Sequence, residues 1–190
     1  MNKLSTLPKA VIAVGIIFAI AGVVAAAGGI YINSFVGQQL AAQNIVTTGD
    51  ATIPNTPVTD IPTALSMANI IQEHADNRTS GLSYAEMGRF ATADGDPAGT
   101  SDPAAALLDE AGNPVSNSAR NTQLTAAGLV TSLSLSAMAI GMSYGIIALG
   151  LAFVLLGVVT TGLGYALLGL VTPEVAERFG LEPLATARAT

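Results

Sequence analysis

One histidine, His74, stands in a chain of 190 residues that has neither cysteine nor tryptophan. Zinc centres take three or four His, Cys or carboxylate ligands, non-haem iron takes two histidines and a carboxylate, and a bis-histidine haem needs two imidazoles. None of these His- or Cys-based sets can be drawn from this chain alone. His74 lies between Glu73 and Asp76 on a segment with helical spacing, where a solvated polar side chain accounts for it. No serine sits in a G-x-S-x-G elbow, and no glycine-rich phosphate loop is present. "DGDPAGTSD" places Asp94, Asp96, Gly99 and Asp102 at positions one, three, six and nine of a calcium loop. Position five is Ala98, and position twelve, which needs a bidentate glutamate, is Ala105. An acidic turn is therefore expected rather than a calcium site. "NRT" at 77–79 matches a glycosylation sequon by pattern, which has meaning only in a eukaryotic secretory chain. The residues predict a protein that is not an enzyme, binds no cofactor and holds no metal.

The elements that carry these residues follow from where charge is absent. The chain is 51% hydrophobic and 11% charged, with a mean hydropathy of +0.56. No charge interrupts Ala10 to Ile32, a run long enough as a helix to cross a hydrocarbon core of about 30 Å. A second uncharged run extends from Asn121 to Pro173. Between them, 33–120 holds ten acids, three arginines and no lysine. The predicted fold class is an all-α membrane protein, with two transmembrane helices joined by a mostly helical and irregular exported segment. Lys3 and Lys9 precede the first run as cytoplasmic anchors do. The N-terminus (1–9) and the tail (172–190) are then expected in the cytoplasm, in a multi-pass protein of the bacterial plasma membrane. A signal peptide would also begin with lysines, and Ala25 to Ala27 offers a cleavage pattern. The apolar run nevertheless exceeds the usual length of such a peptide, so a retained anchor is expected. The spans contain no ionisable residue, which argues against a transport pathway. The acidic balance offers no nucleic-acid partner.

Within the first span (10–32), Ala21, Ala25 and Gly29 repeat every fourth residue, a spacing that permits close helix approach. The second uncharged run is too long for one crossing but lacks a breaker, so a single helix over 121–171 is expected. Its polar outer stem, rich in Ser, Thr and Gln, leads to a span at about 145–170. Ala137, Gly141 and Gly145 mark its expected crossing point with the first span or with a foreign helix. Three prolines break "ATIPNTPVTDIP", after which Asp60 and Pro62 start a helix over about 62–76. Ala64, Met67, Ala68, Ile71 and Ala75 share one face of that helix. Ser83 and Glu86 have the spacing of a capping box for a short helix over 84–90. Tyr84, Met87 and Phe90 would form its apolar face, packed on the Ala64, Met67, Ile71 stripe and available to a partner. Asp94, Asp96 and Asp102 are expected to orient that partner electrostatically. "LLDEAGNPV" resembles a small hairpin or turn.

Three motifs carry a resemblance. Leu40 to Ile45 gives L-x-x-x-x-I, Ile71, His74 and Ala75 give I-x-x-H-A, and Gly81, Tyr84, Ala85 and Glu86 give G-x-x-Y-A-E. Over about residues 10–170 the chain resembles a family of small actinobacterial two-span membrane proteins, often labelled aromatic ring-opening dioxygenases. The ligand count above opposes that chemistry. The long Asp/Pro/Gly stretch after Arg89 departs from the family pattern. The resemblance implies an accessory subunit of a respiratory assembly of the cytochrome bcc-aa3 supercomplex type, with integral membrane subunits and the lipid bilayer as partners. A self-associating envelope scaffold or sensor with an exported ligand-binding segment is the alternative.

Overall fold

A computed structural model describes residues 6–171 and Arg178. The cytoplasmic placement expected for 1–5 and for the rest of the 172–190 tail falls outside the described residues. Three α-helices follow in order: α1 (Thr6–Ala42), α2 (Ile61–Arg78) and α3 (Ser118–Val171), with a 3-10 turn at Pro103–Ala105. No strand occurs among the described residues. Four isolated antiparallel bridges occur instead, at Val46 with Pro57, Phe90 with Thr100, Phe90 with Ser116, and Leu108 with Pro114. Helices α1 and α3 are each long and apolar enough to cross a membrane. α3 is a single helix of 54 residues, as the lack of a breaker predicts. The contacts divide the chain into two units, Ser34–Gly141 and the residues on either side of it.

In the unit made by the two flanking segments, α1 and α3 pack antiparallel through residues spaced seven apart. A Cβ on Gly22 would lie 2.5 Å from the carbonyl oxygen of Gly150, and one on Gly150 would lie 2.7 Å from that of Gly22. Gly15 and Gly157 meet in the same reciprocal way, Gly29 faces Ser143 at 2.9 Å, and Gly164 faces Pro8 at 3.2 Å. Backbone therefore rests on backbone, and only hydrogen fits at these positions. Asn33 donates its Nδ2 proton to Ser143 Oγ at 3.1 Å beside the Gly29 contact. Phe18 stacks on Phe153, with ring centroids 5.8 Å apart.

This seam runs along a different line from the Ala21, Ala25, Gly29 and Ala137, Gly141, Gly145 triplets and shares only Gly29 with them. Ala21 faces outward and Ala25 is half-buried; only Gly29 of that triplet is buried. A four-residue step advances about 40° around a helix and soon leaves the contact line, whereas a seven-residue step drifts only about 20°. Gly141 and Gly145 do not meet α1. A Cβ on Gly145 would meet nothing within 4 Å, and one on Gly141 would touch only Ile61 Cδ1 at 3.8 Å.

The Ser34–Gly141 unit buries the end of α1, one face of α2 and the start of α3. Its core joins Leu40, Val58, Ala64, Ala68, Leu133, Ala137 and Ile140. Ala137 thus packs in this core. Met67 and Ile71 lie against it, partly exposed, so the predicted stripe of α2 is covered by α1 and α3 rather than by residues 84–90. Asp60 caps α2, its carboxylate accepting from Thr63 N at 3.0 Å, with Pro62 in the first turn. Asp76 Oδ1 accepts from Gln72 Nε2 at 2.8 Å and from Gln123 Nε2 at 3.1 Å, which ties α2 to α3. The proline-rich connection is irregular but fixed. Thr47 N donates to Thr56 O, Val58 N to Ile45 O, and Ile53 N to Ser66 Oγ on α2.

Candidate interaction surface

Residues 81–117 form a lobe in which backbone pairing replaces the expected helix over 84–90. Gly81, at φ +77, turns the chain out of α2. Glu86 Oε2 accepts from both Ser83 N and Ser83 Oγ, and Glu86 N donates to Ser83 O. The serine hydroxyl therefore donates to the carboxylate, whereas a capping box needs it to accept a helix amide. The segment after this turn is drawn into pairing. Gly88 N donates to Ala98 O at 2.7 Å, Phe90 exchanges both backbone bonds with Thr100 at 2.9 Å, and Asn117 N donates to Arg89 O. A Cβ on Gly88 would collide with the backbone of Thr100. The "LLDEAGNPV" segment closes as a hairpin turn, with Asp109 N donating to Asn113 O and Gly112 at φ +81.

Asn117 holds these segments to α3. Its Oδ1 accepts from Ala119 N at 3.0 Å and Arg120 N at 3.3 Å, the pattern of a helix N-cap. Its Nδ2 donates to Gly88 O at 3.1 Å and Pro97 O at 2.9 Å. One side chain, 4% exposed, thus joins a helix start to two loop segments. Gly99, at φ +58, lies against Asn117 and Phe90 O so closely that a Cβ would strike both. Sequence reasoning missed Asn117. The available signal was an asparagine immediately before a long apolar-periodic run.

The predicted surface residues separate into distinct roles. Met87 is buried and Phe90 half-buried, while Tyr84 remains open on one side. The guanidinium of Arg120 lies 3.8 Å from the Tyr84 ring centroid, a cation–π stack between the lobe and the first turn of α3. Tyr84, Met87 and Phe90 therefore do not form one apolar face. Asp94, Asp96 and Asp102 each close a local turn. Their carboxylates accept from Asp96 N at 3.2 Å, Ala98 N at 2.9 Å and Ala104 N at 2.9 Å. Among the described residues, no three His, Cys, Asp or Glu side chains are grouped as a metal site. His74 Nε2 meets Asp50 Oδ2 at 2.8 Å, pinning the proline-rich connection to α2.

These turns leave an electrostatic signature. The Thr92 hydroxyl and then the Asp96 amide hold the Asp94 carboxyl below its ordinary range. The Asn113 amide does the same for Asp109, and the Ser83 hydroxyl and amide for Glu86. Asp60 is lowered by Thr63, and Asp50 by the Thr48 hydroxyl and then by His74.

No family model, curated protein or solved structure matches this chain. Its surface is therefore read from its own geometry. On the α3 stem within the Ser34–Gly141 unit, Leu124, Leu135 and Met138 are 55%, 54% and 56% exposed. They lie on the side of α3 opposite Leu133, Ala137 and Ile140, and the small residue Gly128 shares that side. Ser132 and Ser136 donate to carbonyls one turn back along α3, which satisfies their hydroxyls within the helix. The predicted Ser/Thr-rich stem thus exposes leucine and methionine while the hydroxyls of Thr125, Ser132 and Ser136 turn onto their own backbone.

Proposed function

We propose that this protein is a non-catalytic accessory subunit of a respiratory membrane supercomplex of the cytochrome bcc-aa3 type, contributing to its assembly or stability. The supporting observation is the exposed apolar stripe Leu124, Leu135 and Met138 on a stem that extends a membrane-length helix. At about 1.5 Å per residue α3 measures about 80 Å, far beyond a hydrocarbon core of about 30 Å, so part of it projects past the lipid tails. Large apolar side chains lined up on such a projection are costly in water and fit a protein neighbour. In this reading both termini are cytoplasmic and Ser34–Gly141 lies outside the cell membrane. Integral subunits of the assembly cover the stripe, and Ala21, Ala25 and Gly145 remain available to foreign helices. The resemblance in the three short motifs supplies the respiratory setting.

The test is purification of the tagged chain from native membranes in mild detergent, with a reduced-minus-oxidised spectrum of the eluate. Haem absorption is expected with the wild type and lost in L135D/M138D, whose melting as an isolated protein stays unchanged. Recovery of the wild-type chain alone and monodisperse counts against the proposal. Recovery as a haem-free homo-oligomer favours the envelope-scaffold alternative, in which the α3 stripe pairs with itself.

A further inference from the structure

Two adjoining cavities of about 780 Å³ and 550 Å³ open along α2 and α3, and Ile71 and Leu129 line both. Each has the size of a small-molecule site. Their linings differ from end to end. The first includes His74, Asn77 and Arg78 near the end of α2, with Asn121 and Thr125 from the start of α3. The second joins the apolar Leu40, Ile45, Met67, Ile71, Leu129 and Leu133 to the neutral polar Gln39, Gln43, Ser132 and Ser136, and carries no charged residue. Arg78 is exposed and has no carboxylate within ion-pair distance among the described residues, although ten acids lie in 33–120. From Thr122 to Ser136 along α3 the groove runs about 21 Å at 1.5 Å per residue. That is the reach of one extended long acyl chain.

We propose that this groove binds a single-chain anionic amphiphile, with the acid group at Arg78 and the acyl chain along Ile71, Leu129, Leu133 and Met67 towards Leu40. The charge pattern selects this occupant. Arg78, without an ion-pair partner, suits an anionic head, and the uncharged, largely apolar lining beyond it suits a chain that carries no further charge.

The full-length protein in phosphatidylcholine nanodiscs is irradiated with palmitate carrying a mid-chain diazirine, or with the methyl ester of that probe. Labelled peptides are then mapped by mass spectrometry. Label is expected on 61–78 and 121–137, with the acid favoured over the ester about five-fold, the upper range for one exposed charge contact. R78Q is expected to abolish the acid preference while ester labelling persists. L129W fills the shared floor from a residue that is 49% exposed, and is expected to remove label from both peptides. Labelling of 10–32 by bulk lipid probe stays constant and reports an intact protein. Label confined to 10–32 and 145–170, or unchanged in L129W, overturns the site. Equal labelling by acid and ester in the wild type overturns the assignment of the anionic head.

Discussion

Replacing Asn117 with alanine removes four hydrogen bonds at one buried position, two that cap α3 and two that hold the carbonyls of Gly88 and Pro97. Loss of an N-cap to alanine costs about 1 kcal/mol. Each of the other two bonds contributes about 1 kcal/mol net. The total of about 3 kcal/mol corresponds to about two orders of magnitude in the opening equilibrium of the lobe. N117S separates the terms, because serine still caps the helix but cannot reach the two loop carbonyls; its cost is about 2 kcal/mol. N117D keeps the cap and sets a carboxylate against two carbonyl oxygens, so the lobe is expected to loosen at least as much as in N117A. Hydrogen exchange of the full-length protein, read on peptides from 86–116, measures these changes directly. The same experiment follows 10–32 as an internal standard. If N117A leaves exchange of 86–116 unchanged, or if N117S and N117A are equal, the assignment of Asn117 as the tie between lobe and helix is wrong.

The heptad seam predicts that G22L forces α1 from α3, while G28L, at a position with open space, does not. Electron–electron distances between nitroxides at Val24 and Leu151 should lengthen only in G22L, and equal distances in both variants would refute the seam. The lowered carboxyls of Asp60, Asp94, Asp109, Asp50 and Glu86 set a pH dependence. Their contribution is fully present above the ordinary values of 3.8 for aspartate and 4.5 for glutamate, and is lost as pH falls through the lower folded values. Circular dichroism should therefore stay constant from neutral pH down to those values and lose signal below them; a transition near pH 6 would point to another group. Reversal of Asp94, Asp96 and Asp102 to lysine is expected to open the lobe even in the isolated protein, because each carboxylate closes a turn. Unchanged exchange of 86–116 in that variant would restore a purely electrostatic surface role.

Charge distribution and breaker residues determined the three long elements without any tertiary information. Uncharged runs are visible residue by residue, and Asp60 with Pro62 specifies a helix start through local hydrogen bonding alone. What the sequence left open was the choice between equivalent local options. Ser83 and Glu86 suit a helix start or a tight turn, and pairing of Gly88 and Phe90 with distant Ala98, Thr100 and Ser116 selects the turn. The same holds for the glycines. Many small residues line α1 and α3, and any of several spacings permits close approach. Only the antiparallel register, with Gly22 on Gly150 and Gly15 on Gly157, decides which of them touch. Register is a property of two helices together, so the contact line is fixed by packing of one backbone on the other and is absent from either segment read singly.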